Sequence, residues 1–230
     1  IKMEVKRNYE PKNNFLQEIR KLTKKNKIIL IFDECTSGFR ETLGGLHKKY
    51  KVEPDMAIFG KALGNGYPIN AIIGKSKLMS FANKTFISST FLSEGLGPTA
   101  AIETIKLMDK KKTYKYILKT GKQIKNNWTK ISKKTGVEIE VFGLDCIPKF
   151  KFLHKDSNFI KTIFTYEMLK KGFLAGNAIY VSTAHTEKIL KRYYKITEQI
   201  FYKIAKLIKD KNYKKIYPIK ESMTDFGRLN

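Results

Sequence analysis

Two residues in the first third of the sequence, Asp33 and Lys61, have side chains and positions that could support chemistry. Asp33 follows the apolar run 28–32, and Lys61 follows the run 55–59 and Gly60. A lysine amine can condense with a carbonyl to form a Schiff base, and a carboxylate beside a pyridine nitrogen keeps that ring protonated, so that the ring can accept electrons. Together the two residues predict a site for a pyridine aldehyde cofactor.

The two apolar runs must position these residues. Residues 28–32, IILIF, are too few for a helix and too uniformly apolar for a half-exposed strand, which predicts a central strand of a covered parallel sheet. Residues 55–59 predict a second strand, which leads into a glycine-rich turn. Ligands of open α/β sheets bind beyond the carboxyl ends of the strands, and this prediction places Asp33 and Lys61 there.

Three segments around these residues resemble one family. The segments FDECTSGFR (32–40), PDMAIFGKALGNGYP (54–68) and SSTF (88–91) are similar to the class III aminotransferases, and within them to the glutamate-1-semialdehyde aminomutase-like branch. The resemblance implies an α/β protein of the pyridoxal-phosphate (PLP)-dependent fold type I, the aspartate aminotransferase-like fold. It also implies pyridoxal 5'-phosphate as the cofactor.

The resemblance implies a role for each of four residues. Lys61 matches the Schiff-base lysine and is the catalytic candidate, and Asp33 matches the partner of the pyridine nitrogen. Cys35 occupies the position that packs against the cofactor ring, where the family more often has Val or Ile. Thr90 matches the threonine that reaches the cofactor phosphate, usually that of the neighbouring subunit, so a homodimer is expected.

Other residues near the motifs depart from the family pattern. Thr36 takes a position at which the family often has Gln near the ring hydroxyl. Arg40 is the nearby candidate for binding a substrate carboxylate, and it could equally be structural. After Thr90, the segment FLSEGLGP places Glu94 where a small or amide residue is more usual. Because that loop faces the active-site entrance in the family, the substrate stays open.

Each cofactor-site residue also has a simpler interpretation. The chain contains 46 lysines and arginines, so a lysine taken at random is a solvated surface group. Lys61 differs because it lies between an apolar strand ending in Gly60 and a glycine-rich turn. Asp33 could accept backbone hydrogen bonds after a strand. Cys35 could be a small buried hydrophobe, and Thr90 could end a strand.

The activity implied by the resemblance is transamination between an amino donor and a keto or aldehyde acceptor. An incoming amine displaces Lys61, and the freed lysine acts as a general base on the substrate proton. The alternative is an aminomutase of the glutamate-1-semialdehyde type, in which the amine migrates within one molecule and no external acceptor is needed. The residues do not separate the two reactions.

The length indicates a fragment with two parts. A chain of 230 residues is long enough to bury a core. Family members are typically about twice as long, and the resemblance covers the later part of the family pattern. We therefore predict that residues 1–108 are the C-terminal part of a large PLP-binding domain and that residues 109–230 are a small C-terminal α/β domain.

The net charge of +25 would ordinarily indicate a nucleic-acid or anionic membrane partner. The lysines are spread along the chain and arginine is scarce, which favours a compositional bias over a focused phosphate-binding face. We expect small-molecule substrates and neither nucleic acid nor membrane. A non-catalytic basic protein that binds a polyanion is the remote alternative, which a steep salt dependence of nucleic-acid binding would favour.

Cysteine and histidine usage indicates the compartment only. Cys35 and Cys146 form neither a disulfide framework nor a zinc pattern, and the three histidines lack metal-ligand spacing. The apolar runs fall short of the roughly 18 to 20 residues that span a bilayer. These features favour the reducing cytoplasm.

The rest of the chain has a mixed α/β pattern. The segments 137–142 and 149–153 alternate apolar and polar residues and predict an antiparallel pair. Thr186 is the predicted N-cap of the last long helix, and Tyr116 and Trp128 are predicted core residues. Helical spacing predicts helices that begin near residues 11, 99, 114, 159 and 187.

Overall fold

The computed structural model describes residues 11–88, 90–211 and 213–222. It divides into two units, one ending at Leu118 and the other beginning at Lys119. This division lies within a helix, a short distance beyond the predicted domain boundary after residue 108. The assignment of the two parts to a large and a small domain stays a prediction.

The first unit contains short strands separated by helices. Its elements, in chain order, are α1 (Phe15–Lys25), β1 (Ile31–Asp33), α2 (His47–Tyr50), β2 (Met56–Phe59), a 3-10 helix (Lys61–Leu63), β3 (Ala71–Gly74), α3 (Ser76–Met79), a second 3-10 helix (Ser80–Lys84) and α4 (Leu96–Lys111).

A three-stranded sheet in the order β1-β2-β3 aligns the two motifs. Strands β1 and β2 are parallel, with Phe32 opposite Ala57 and Asp33 opposite Ile58. Strand β3 runs antiparallel to β2 and places Ala71 opposite Phe59. Because parallel strands end at the same edge, Asp33 and the residues that follow Phe59 lie together at the carboxyl edge of β1 and β2.

The first strand is shorter and more exposed than its sequence predicts. The prediction of a strand over 28–32 was wrong at its start, because β1 begins at Ile31. Ile28, Ile29 and Ile31 are 55%, 50% and 50% exposed. Among the described residues β1 pairs only with β2, so it is an edge strand and lacks the neighbours that burial on both faces requires.

Helix α1 of the first unit also buries only some of its apolar side chains. Leu16 of α1 packs with Phe32 and Val52 in one small buried cluster, whereas Phe15 and Leu22 on the same helix are exposed. The second buried cluster joins the end of β2 to α4 and consists of Ala57, Phe59, Leu63 and Ala101. It holds the 3-10 helix that begins at Lys61 against α4.

The second unit is built around an antiparallel hairpin covered by long helices. Strands β4 and β5 pair antiparallel, as predicted, with Val141 opposite Phe150. Thr186 caps the last long helix by accepting a hydrogen bond from the Ile189 amide at 3.5 Å, also as predicted. The elements are α5 (Thr113–Thr135), which begins in the first unit, then β4 (Ile139–Phe142), β5 (Lys149–Phe152), α6 (Ser157–Lys170), α7 (Glu187–Asp210) and α8 (Tyr213–Ile216).

Aromatic side chains form the core of the second unit. Phe150 is fully buried and lies 4.8, 5.4 and 5.9 Å, between ring centroids, from Trp128, Phe164 and Phe201. The packing role predicted for Trp128 is therefore confirmed. The same prediction for Tyr116 was wrong, because its side chain is 39% exposed in the first turns of α5.

The segment after α7 packs back onto the second unit. Tyr217 is buried, and its hydroxyl donates a 3.0 Å hydrogen bond to Glu167 of α6. Lys203 of α7 donates to the other oxygen of the same carboxylate at 3.0 Å. As far as the described residues extend, this tail packs on the second unit.

Candidate active site

Lys61 lies where β2 ends and a 3-10 helix begins. Gly60 separates it from the strand. The backbone of Lys61 has φ 46°, in the left-handed region that residues other than glycine seldom adopt. Such conformations cost about 1–3 kcal/mol and occur often at functional sites. Lys61 lies at the strand end that the sequence predicts, and its side chain is exposed there.

A hydrogen bond joins Lys61 to the segment that follows β1. The Nζ atom donates to Thr36 Oγ1 at 2.6 Å. The position of Thr36 is held in turn by Arg40, whose Nε donates to the Thr36 carbonyl oxygen at 2.7 Å. Arg40 is therefore bound to the main chain here, which favours the structural alternative for this residue.

Asp33 lies at the carboxyl end of β1 with its carboxylate exposed. Its Oδ1 accepts a hydrogen bond from the Cys35 amide at 3.0 Å, so the turn after the strand partly orients the side chain. The parallel register places Asp33 beside Ile58, and side chains two residues apart share a face, so Gly60 follows on that face. The acid and the lysine thus belong to adjacent strand ends.

Gly60 permits a close approach that another residue would block. A Cβ built on Gly60 would lie 2.4 Å from Asn70 Oδ1 and 2.9 Å from Cys35 Sγ, so the backbone packs directly on both side chains. Cys35 is accordingly half-buried beside the strand that delivers Lys61. The sequence analysis missed Asn70. Pairing residues 55–59 with 70–74 would have placed it next to Gly60.

The sequence analysis also missed the part played by Glu34. Its side chain is fully buried, and Oε1 accepts hydrogen bonds from the His47 amide at 2.9 Å and contacts His47 Nδ1 at 2.7 Å. Ser37 Oγ donates to Oε2 at 3.0 Å. The Leu46 amide donates a second hydrogen bond to the same oxygen. The adjacency of an acid to Asp33 was the one signal in the sequence.

Thr90 lies in an exposed turn before α4. It makes no hydrogen bond to another described residue, so the structure does not join it to Lys61 in that way. Large apolar side chains surround it in sequence, with Phe86, Phe91 and Leu92 exposed by 93%, 59% and 61%.

A separate charged cluster occupies the opposite, amino end of β2. Asp55 binds Arg20 at 2.9 Å, Lys75 at 2.5 Å and the Leu30 amide at 2.9 Å. Burial alone would raise the pKa of the Asp55 carboxyl, but the Leu30 amide and the Lys75 and Arg20 cations hold it well below its usual range. A cavity of about 610 Å³ opens there, lined by these charges and by further lysines. Lys61 is not among its lining residues.

The sequence matches one family over most of its length. The model of the family "Aminotransferase class-III" matches residues 8–188. The chain belongs to the class III aminotransferases. The expected resemblance is thereby confirmed.

Curated relatives carry two kinds of name. The 3-aminobutyryl-CoA aminotransferase of Cloacimonas acidaminovorans is 35% identical over 156 residues, which are 67% of this chain and 38% of that protein. The glutamate-1-semialdehyde 2,1-aminomutase of Thermodesulfovibrio yellowstonii is 31% identical over 213 residues, which are 85% of this chain and 49% of that protein. The chain thus spans about half the length, or less, of the relatives it matches.

Solved structures confirm the fold. The FumI protein of Sphingopyxis, in its PLP internal aldimine form, superposes with a TM-score of 0.79 at 24% identity over 85% of this chain and 48% of that chain. The ornithine aminotransferase of Toxoplasma gondii gives a TM-score of 0.76 at 20% identity over 88% of this chain and 49% of that chain. The prediction of fold type I is confirmed by this likeness.

Residues 11–88, 90–211 and 213–222 contain neither a membrane-spanning helix nor a cluster of metal-binding side chains. No helix in these ranges has the length and apolar character that crossing a bilayer requires. The same ranges contain no group of three or more His, Cys, Asp or Glu side chains arranged to hold a metal ion.

Proposed function

We propose that this chain is part of a PLP-dependent aminotransferase in which Lys61 forms the covalent bond to the cofactor. The observation that carries the proposal is the juxtaposition of Lys61 and Thr36, 2.6 Å apart, beside Asp33 at the end of the adjacent parallel strand. Membership of the class III family supports it.

The side chains at the two strand ends fit pyridoxal phosphate by their chemistry. A primary amine is the group that condenses with an aldehyde, and an exposed carboxylate at the end of the adjacent strand suits a protonated pyridine nitrogen. Lys61 and Asp33 would hold these two parts of the cofactor, with half-buried Cys35 beside them. When bound, the cofactor supplies an electron sink for the carbanion formed from an amino substrate.

The chain's own residues have distinct tasks in this proposal. Lys61 Nζ takes the substrate proton and returns it, which requires the amine in its neutral form at that moment. Asp33 keeps the pyridine nitrogen protonated by ion pairing. Thr36 Oγ1 orients the lysine amine by accepting its hydrogen bond, which limits the positions that Nζ samples.

An aminomutase is the second candidate function. It is favoured by the similarity to the aminomutase of Thermodesulfovibrio yellowstonii, which extends over a larger share of this chain than the aminotransferase similarity does. The two candidates differ in a measurable requirement. An aminotransferase needs a separate keto or aldehyde acceptor, whereas an aminomutase converts one substrate without it.

The proposed assembly is a homodimer in the cytoplasm. Thr90 would reach the cofactor phosphate of the partner subunit, which agrees with its exposure and with its lack of hydrogen bonds to described residues. The exposed Phe86, Phe91 and Leu92 beside it provide apolar surface for such an interface. Cys35 and Cys146 form no disulfide with each other or with another described residue, as a reducing compartment favours.

Cofactor labelling tests the proposal. The full protein that contains this chain is incubated with pyridoxal phosphate, reduced with borohydride and digested, and the modified lysine is located by mass spectrometry. We expect the label on Lys61 in the wild type and none at that peptide in Lys61→Ala. The matched control is Lys106→Ala, which removes an exposed lysine paired with Glu103 and should leave the labelling unchanged.

The outcomes discriminate between the hypotheses. Specific labelling of another lysine, or none at all, would overturn the assignment of Lys61. If labelling succeeds, turnover of an amino substrate with and without an added keto acid separates the aminotransferase from the aminomutase. Asp33→Asn should weaken cofactor retention, because the neutral amide cannot pair with the charged pyridine nitrogen.

A further inference from the structure

We propose that Glu34 and His47 are positioning residues for Lys61, an inference that rests on the function proposed for that lysine. Neither residue touches Lys61 or belongs to the cofactor-binding set. They act through the loop 35–46, which begins with Cys35 and Thr36 and returns to the buried Glu34 carboxylate.

The Glu34 carboxylate organises this loop from inside. It is fully buried, and each of its oxygens receives two polar contacts: Oε1 from the amide and Nδ1 of His47, and Oε2 from Ser37 Oγ and the Leu46 amide. A buried carboxylate with this many donors is strongly held, because an unpaired buried charge is costly. The start and the end of the loop are therefore fastened to one side chain.

The backbone of the loop is shaped around the pair. The Gly38 amide donates to the Glu34 carbonyl oxygen at 2.8 Å and closes a turn there. A Cβ on Gly45 would lie 2.3 Å from His47 Nδ1 and 2.9 Å from Glu34 Oε1. Glycine at position 45 leaves the space that the Glu34 carboxylate and the His47 imidazole occupy. The loop backbone and these two side chains are therefore packed directly against each other.

Two connections transmit this order to Lys61. The Glu34 amide donates to the Ile58 carbonyl oxygen at 2.8 Å, which fixes the start of the loop to the strand that ends before Lys61. Two residues after Glu34, Thr36 Oγ1 accepts the hydrogen bond from Lys61 Nζ at 2.6 Å. A shift of the loop by a fraction of this distance would break that bond, because hydrogen bonds weaken steeply with geometry.

His47 contributes a directed donor. Its Nδ1 can donate to Glu34 Oε1 when the proton is on that nitrogen, and its Nε2 lies 3.9 Å from Glu53 Oε2. His47 is buried, whereas the Glu53 side chain is 81% exposed. Packing against Phe32, 6.2 Å away between ring centroids, holds the imidazole beside β1. The imidazole thus links the loop end to the strand that carries Asp33.

The reactivity of the Lys61 amine tests the inference without cofactor. The full protein is treated briefly with an acylating reagent over a series of pH values, and the modification rate at Lys61 is measured by mass spectrometry. In His47→Ala we expect the acylation rate at Lys61 to differ from that of the wild type by about fivefold. This is the size of effect that loss of one oriented hydrogen bond produces. His47→Gln keeps a side-chain donor and should restore most of the wild-type profile. Lys106 in the same samples is the internal control.

A double variant separates positioning from direct electrostatics. Glu34→Gln removes a negative charge that could alter the Lys61 amine through space, and Thr36→Val removes the acceptor itself. If Glu34 acts through Thr36, the double variant should match Thr36→Val alone. If the effects of Glu34→Gln and Thr36→Val on the acylation rate multiply in the double variant, the inference is overturned. An unchanged acylation profile of Lys61 in folded His47→Ala also overturns it. Should Glu34→Gln fail to fold, the same cycle is run with His47→Ala.

This readout is independent of the proposed function. Failure of that proposal appears as absent borohydride labelling at Lys61, whereas failure of the positioning inference appears as an unaltered acylation profile in the cofactor-free protein. The two results are obtained from different experiments on different variants.

Discussion

Lys61 Nζ donates a 2.6 Å hydrogen bond to Thr36 Oγ1, and this bond connects the segments that follow the parallel strands β1 and β2. The two residues are 25 positions apart in the sequence. Their contact joins the Lys61 amine to the loop 35–46, which follows Asp33 and begins with Cys35. It leads directly to a test of how the lysine is oriented.

Thr36→Val should lower kcat/KM of the complete enzyme by about tenfold. Valine keeps the shape of threonine but cannot accept the hydrogen bond, and one hydrogen bond contributes up to about 1.5 kcal/mol, which corresponds to that factor. Steady-state kinetics measure the change. Thr36→Ser retains the hydroxyl and serves as the control. Equal activity of the valine and serine variants would show that the hydrogen bond has no catalytic value.

Asp55→Asn should destabilise the protein at neutral pH, by about 2 kcal/mol, because it breaks the ion pairs of the largely buried Asp55 carboxylate with Arg20 and with the exposed Lys75. Burial opposes ionisation of Asp55, but the Leu30 amide and the two cations lower its pKa overall. The stabilisation is therefore complete above the unfolded-state pKa of about 3.9 and is lost as the pH falls below it.

Urea denaturation at a series of pH values measures this dependence. We expect the gap in unfolding free energy between wild type and Asp55→Asn to narrow as the solution is acidified. Asp109→Asn removes an exposed carboxylate that pairs with Lys112, and it should change stability little at any pH. A gap that stays constant down to strongly acidic pH would contradict the role assigned to the Asp55 charge.

Tyr193→Phe should destabilise the second unit by about 1–3 kcal/mol, because it leaves a buried donor unpaired. Trp128 Nε1 donates to the Tyr193 hydroxyl at 3.0 Å, and both side chains are buried. Trp128 is the one tryptophan in the sequence, so its fluorescence reports denaturation of this core. Tyr202→Phe removes a hydroxyl from an exposed position of α7, the helix that also contains Tyr193. It should leave the midpoint of denaturation unchanged.

Tyr217→Phe should loosen the segment after α7. The Tyr217 hydroxyl donates to Glu167 at 3.0 Å, while Lys170 and Lys203 keep that carboxylate paired after the substitution. We therefore expect a modest loss, about 1 kcal/mol, and faster hydrogen exchange of the amides in α8. Tyr67→Phe, at an exposed position of the first unit, is the comparison. Unchanged exchange in α8 would mean that apolar packing alone holds the segment.

Local sequence patterns were enough to predict the order of the main elements and the residues that could support chemistry. Apolar runs and glycine turns are local signals, so they located the strands that end near Asp33 and Lys61 and the antiparallel pair of the second unit. The family resemblance rested on the same short motifs. The N-cap at Thr186 was predictable for the same reason, since a cap depends on its nearest neighbours in the chain.

The contacts between distant side chains could not be predicted from the sequence. The bond from Lys61 to Thr36, the enclosure of Glu34 by His47, and the ion pairs of Asp55 join residues that lie 13 to 35 positions apart. The exposure of the run 28–32 likewise depends on which strands and helices lie beside it. Such contacts follow from how the chain returns on itself, and the periodicity of a single segment does not encode them, because each depends on a distant partner.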